Sequence, residues 1–186
     1  MGLTVHDTGL PGVLRVVPRA FGDERGYFYE SWSSRLYAET GIPDRFVQDN
    51  ISKSTQGTLR GLHLQHPHGQ GKLVHTLVGE VFDVAVDVRV GSSTFGQWYG
   101  EYLSEENKHQ LYVPPGFAHG FCVVSDEALF AYKCTEHYHP ESDLCIAWND
   151  PDIGIRWPVA EPTLSPKDRV APRLSALRDR LPALER

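Results

Sequence analysis

The sequence predicts an all-β protein, a sandwich or closed barrel. Three observations carry that expectation. Short apolar runs, many with period-two character, recur along the whole chain. Gly and Pro punctuate them at short intervals. No repeating alternation of helix and strand appears, so a parallel α/β sheet is not expected.

The elements follow in chain order. Residues 14–17 read as the first strand, and 26–32 as the second, with Tyr27, Phe28 and Tyr29 at its centre. Residues 33–40 predict a short helix, capped by Ser33 or Ser34 and stopped near Gly41. Strands are expected at 46–51 and 59–64. Two more, 72–78 and 81–89, flank a tight turn at Gly79–Glu80. In the second of these, Phe82 and Ala85 fill the gaps between Val81, Val84, Val86 and Val88. That run predicts a strand buried on both faces. Residues 96–103, 110–113, 120–124, 128–134 and 144–148 complete the set. In the tail, about 173–184, Leu174, Leu177, Leu181 and Leu184 form one helical stripe interrupted by Pro182. It is expected to pack on the sandwich or on a partner subunit.

Composition narrows the function. A chain of 186 residues with 40% apolar and 23% charged residues fits one globular domain over 1–186. The net charge of −6 offers no broad basic field, so nucleic acid is not an expected partner. A diphosphate needs only a few local Arg or Lys groups. The three cysteines form no CxxC pair and predict buried thiols in a reducing, cytoplasmic setting. No run reaches the 18 or so apolar residues of a membrane helix, and residues 1–11 do not read as a signal peptide.

Several segments carry chemistry. In Arg60–Gly61–Leu62–His63–Leu64–Gln65–His66, strand parity puts Arg60, Leu62 and Leu64 on one face and Gly61, His63 and Gln65 on the other. His63 reads either as a satisfied core histidine or as a group that titrates in a cavity. Lys72 stands in a strand with polar residues among apolar ones, where an ammonium is costly unless it meets an anion or oxygen partner; a solvated edge lysine is the plain alternative. His119 opens a strand after Pro114–Pro115–Gly116. His63, His75, His119 and Glu80 raise a metal site, but the expected His-x-His followed by a carboxylate is lacking, since Gln65 follows His63 and the His66–Pro67–His68 pair reads as a loop. No metal is therefore expected. Tyr132 is either a core aromatic or a proton donor. Asp168 is either an exposed cap or a buried carboxylate that orients His63. Arg25, Gln48, Asn50, Arg60 and Lys167 are candidate donors to pyrophosphate and to base or sugar oxygens.

These segments together resemble a known family. Phe21–Gly22–Asp23–Glu24–Arg25–Gly26, Phe46–Val47–Gln48–Asp49–Asn50 and Arg60–Gly61–Leu62–His63 are similar to the dTDP-4-dehydrorhamnose 3,5-epimerases. So are Gln70–Gly71–Lys72, Pro115–Gly116–Phe117–Ala118–His119–Gly120–Phe121, Tyr132–Lys133, Trp148–Asn149–Asp150–Pro151, Ile155–Arg156–Trp157–Pro158 and Leu164–Ser165–Pro166–Lys167–Asp168. The resemblance implies a double-stranded β-helix (a jelly roll of cupin type), a homodimer, and no metal or other cofactor. It implies His63 as base, Asp168 as its orienting carboxylate and Tyr132 as the acid on the opposite face of the sugar. Lys72 would stabilise the enolate oxygen, with His119 close by. Arg60 and Asn50 match substrate-binding positions. Arg25, Phe28, Glu30 and Gln48 match a nucleotide-binding set partly supplied across the dimer, and Tyr138 an aromatic wall. The implied reaction inverts C3 and C5 of a dTDP-linked 4-keto-6-deoxy sugar. Two alternatives stand beside it: inversion of one centre only, as in antibiotic-sugar pathways, and a non-catalytic sugar-nucleotide-binding cupin. His63 beside Asp168, with Tyr132 across a cavity, separates catalysis from binding.

Overall fold

Alternation along one strand organises the molecule. In β8 (Glu80–Asp87), Val81 and Ala85 face one core while Phe82, Val84 and Val86 face another. The strand is buried on both sides, as its unbroken apolar run predicts. A computed structural model describes residues 2–43 and 45–184. Two antiparallel sheets pack face to face. One has the order β1 (Leu3–Asp7), β2 (Leu14–Pro18), β10 (Gln110–Val113), β7 (Lys72–Val78), β12 (Glu127–Cys134), β5 (Gln48–Thr55). The other runs β13 (Asp143–Cys145), β6 (Leu59–Gln65), β11 (Phe117–Val123), β8, β9 (Trp98–Ser104). A separate hairpin joins β3 (Ala20–Asp23) to β4 (Gly26–Tyr29). This is the jelly-roll, cupin-type architecture.

Three apolar clusters hold it. Val74, Val81, Leu111, Phe117, Phe121 and Phe130 fill the space between the sheets. The outer face of the five-stranded sheet, with Leu62, Leu64 and Val84, is covered by Leu174, Leu177 and Leu181. The outer face of the six-stranded sheet is covered by Tyr37 of α1 (Ser34–Ala38) and by Ile42.

The structure departs from the sequence reading in instructive places. β1 and β3 escape it because both are half or fully exposed and carry no apolar run. β5 continues past residue 51 through Ser52–Thr55, where ladder bonds to β12 outweigh weak propensity. Ser33 is the N-cap of α1, but its side chain makes no cap bond. The C-terminal stripe is a 3-10 helix, Leu174–Arg180, rather than an α-helix. Its Leu174 and Leu177 meet the sheet, while Leu184 is exposed. Asp168 sits in a one-turn helix, α2 (Pro166–Arg169).

The most consequential departure lies in β6. His119 pairs with His63 but Phe121 pairs with Arg60, so three steps along β6 oppose two along β11. This bulge changes the parity. Leu62 and Leu64 pack outside, as expected, but Arg60 lines the same cavity as His63. Two glycines permit it. A Cβ at Gly61 would lie 2.6 Å from the Gly120 Cα, and one at Gly120 would lie 2.8 Å from the Arg60 carbonyl oxygen. Both contacts are with backbone that cannot swing aside. Gly120→Ala is therefore expected to lower stability by about 2–3 kcal/mol, read as a lower urea midpoint with unchanged slope.

Candidate active site

The cavity opens between the two sheets and has two adjoining chambers of about 280 and 220 Å³. His63, Lys72 and Tyr132 line both. The outer chamber adds Gln48, Asn50, Tyr138 and Lys167; the inner adds Arg60, His119 and Asp168. The walls differ in origin. His63 and His119 come from β6 and β11 of the five-stranded sheet. Lys72, Tyr132 and Asn50 come from β7, β12 and β5 of the facing sheet. The histidine and the phenol thus reach the cavity from opposite sides.

His63 Nε2 lies 2.5 Å from Asp168 Oδ1. The carboxylate can only accept, so Nε2 carries the hydrogen and the lone pair stays on Nδ1. Asp168 is buried at 3% exposure, which rules out the exposed-cap reading. Burial alone would raise its carboxyl, but donors from His63, Ser165 and Cys145 outweigh that effect and hold it below the ordinary value. His119 Nε2 donates to Asp83 at 2.9 Å, and both are buried. Tyr132 is pushed above the usual phenol range, mainly by burial and secondarily by Cys134, so it is protonated at neutral pH. Lys72 makes no ion pair with a carboxylate among the described residues. Burial holds its pKa below the ordinary lysine value, against the pull of Cys134, Asp143 and Asp83.

At the outer rim, Lys167 binds Asp143, and the Tyr138 hydroxyl donates to the same carboxylate at 3.3 Å. Three glutamines hold the segment that carries Tyr138. Gln70 donates to the Glu136 carbonyl and Gln65 to that of His137, while Gln48 accepts from the Tyr138 amide.

Some sequence candidates lie elsewhere. Arg25 is exposed and pairs with Asp23 across 2.5 Å. Arg25 and Phe28 line a different concavity on the β3–β4 hairpin, and Glu30 does not line the His63 cavity. His75 points away from Lys72 and Val74, toward Lys133 and Asp49, and Glu80 lies at the start of β8 outside the cavity. The His63–His75–His119–Glu80 grouping considered for a metal is therefore not assembled. The structure adds other residues to the site. Ser165 was readable, since Ser165-x-x-Asp168 is a helix-start pattern. Asp83 also left a signal, as a carboxylate in an apolar run. Cys145 left none.

A jelly roll whose cavity opposes a histidine–carboxylate pair to a protonated phenol has the form of a cupin-type sugar epimerase. Comparison with known proteins is specific. The family model described as dTDP-4-dehydrorhamnose 3,5-epimerase matches residues 7–176. The dTDP-4-dehydrorhamnose 3,5-epimerase of Pseudomonas aeruginosa is 56% identical over 162 residues, 86% of this chain and 90% of that one. The crystal structure of the 3,5-epimerase from Legionella pneumophila Philadelphia 1, in complex with dTDP-4-keto-L-rhamnose, superposes with a TM-score of 0.96 at 52% identity, covering 99% of this chain and 100% of that one. A dTDP-4-dehydrorhamnose 3-epimerase of Streptomyces niveus is 40% identical over 95% of this chain and 86% of its own. The chain belongs to the dTDP-4-dehydrorhamnose 3,5-epimerase family.

Proposed function

We propose that this enzyme converts dTDP-4-dehydro-6-deoxy-D-glucose to dTDP-4-dehydro-L-rhamnose by inverting C3 and C5. The observation that carries the reading is the placement of His63 and Tyr132 on opposing walls of one cavity. A C–H beside the C4 ketone is acidic because its electron pair spreads onto oxygen. His63 Nδ1 takes that proton, and the negative charge rests on the C4 oxygen. Lys72 donates to this oxygen, with His119 nearby. The pair then returns to carbon, which takes a proton from the Tyr132 hydroxyl on the opposite face. Solvent resets both groups, and the sequence repeats at the second centre. No hydride moves.

Arg60, Asn50, Gln48 and Lys167 are placed to hold the diphosphate and sugar, and Tyr138 to wall the rim. Arg25, Phe28 and Glu30 fit a second role: the exposed hairpin that carries Phe21, Tyr27 and Phe28 supplies them to the nucleotide site of another copy, making the enzyme a homodimer. The three free thiols fit a reducing cytoplasm. No helix among the described residues is long and apolar enough to cross a membrane.

The test is incubation with the 4-keto-6-deoxy sugar nucleotide in heavy water. Deuterium at C3 and C5 with both centres inverted is expected. Inversion at C3 alone would move the chain to the single-centre class, and label at neither carbon would overturn the reading.

Lys72 gives a sharper expectation. Because burial lowers its pKa below 10.5, the unfolded chain binds more protons. Lys72 therefore makes a contribution to stability that rises with pH through a window ending near the unfolded value, opposite in sign to that of the Cys122 and Cys145 thiols, which burial pushes up. Catalysis needs the protonated form, so activity falls on the basic side below 10.5. Lys72→Met is expected to remove this rising contribution, seen as the difference between variant and wild-type stability curves, gain about 1 kcal/mol at neutral pH and lose roughly 10²–10³ in kcat. Thermal midpoints against pH, with kcat, check all three.

A further inference from the structure

Asp168 receives more donors than it needs to hold one imidazole. Oδ1 accepts from His63 Nε2 at 2.5 Å and from the Cys145 thiol at 3.3 Å. Oδ2 accepts from the Ser165 hydroxyl at 2.8 Å. Ser165 Oγ in turn accepts the Asp168 backbone N–H at 3.1 Å, closing a small ring at the N-cap of α2. The two donors reach the carboxylate from separate elements. Cys145 lies on β13 as the direct ladder partner of His63. In an ordinary capping box the acidic side chain turns back to the N-cap amide. Here it is turned to His63 instead.

We infer that Ser165 and Cys145 are positioning residues that set the basicity of His63 by dividing the negative charge of Asp168. The inference rests on the reading of His63 as the base. A carboxylate whose charge is undivided stabilises the neighbouring imidazolium strongly and raises its pKa. Each added donor takes part of that charge, so the carboxylate stabilises a positive imidazole less strongly. The same bonds fix the carboxylate plane, and with it the direction of Nδ1. A thiol suits this place because burial first, and then the Asp168 bond, push Cys145 up to about 12, so it stays S–H and keeps donating at neutral pH.

The other titratable groups around the cavity are Lys72 of β7, Tyr132 of β12, His119 of β11 and Arg60 of β6, with Lys167, Asp143 and Tyr138 at the rim. The test variants leave all of them in place. The experiment measures kcat/KM for solvent exchange at C3 and C5 across pH for the wild type, Ser165→Ala, Cys145→Ala and Cys145→Ser. The acid limb is expected to move up by about half a unit in each alanine variant, with KM within about twofold. Cys145→Ser, which restores a donor, should bring the limb back toward the wild-type position. A merely structural role would lower the rate at every pH and leave the limb where it was. Acid limbs coincident with the wild type in both alanine variants would overturn the inference. If Ser165→Ala loses the helix cap and unfolds, Cys145→Ala, which leaves the cap intact, decides alone. His63→Ala separates the two levels. Exchange lost there with unmoved limbs in the alanine variants defeats only this inference, whereas exchange retained there defeats the base assignment beneath it.

Discussion

Replacing His63 by alanine leaves the C3 and C5 hydrogens of the sugar in place when the reaction is run in heavy water. The physical ground is that both proton removals pass through one nitrogen. His63 is the cavity imidazole whose second nitrogen is tied to a buried carboxylate, 2.5 Å away. His119 also lines the inner chamber and has a carboxylate partner, Asp83, but its side chain is 8% exposed against 31% for His63. The expected loss in exchange rate is about 10³–10⁴, the upper part of what a positioned general base contributes. Binding should survive, because Arg60, Asn50 and Lys167 are untouched. The measurement is deuterium incorporation at each carbon by NMR, with nucleotide affinity measured in parallel. Wild-type exchange at either carbon in this variant would remove His63 from its role.

Much of this site was legible in the sequence, for reasons that can be named. The strands that carry it are central and buried, so β7, β8 and β12 announce themselves as apolar runs. Lys72 was conspicuous because an ammonium in such a run needs a purpose. What stayed hidden depends on long-range pairing. The parity of Arg60 cannot be read from its own segment, since the bulge that turns it inward arises from the register of β11. Cys145 looks like any buried thiol until the β13–β6 ladder sets it opposite His63. Edge elements such as β1 and β3 lack an apolar face, so alternation gives no signal there. The placement of Arg25 and Phe28 outside the cavity was equally unreadable locally, because a sequence motif does not state which concavity of the fold its side chains line.

Tyr132→Phe should separate proton removal from inversion. The substitution keeps the ring, which packs 6.1 Å from Phe130 at a tilted angle, and deletes only the hydroxyl. His63 and Lys72 remain, so the carbanionic intermediate still forms and still exchanges with solvent from the His63 side. What is lost is the proton on the other face. Burial keeps the wild-type phenol protonated through neutral pH, so a donor is always ready there. Exchange at C3 is therefore expected within about threefold of wild type, while inversion at C5 falls by about 10²–10³. The returning proton then restores the starting configuration, and deuterium accumulates in unreacted substrate rather than in product. That accumulation is the distinguishing signal. Mass spectrometry of recovered substrate, with NMR assignment of the labelled carbon, reads it directly. Equal losses of exchange and inversion would mean that Tyr132 serves binding or packing. Undiminished inversion at C5 would place the second proton donor on another residue of the same wall.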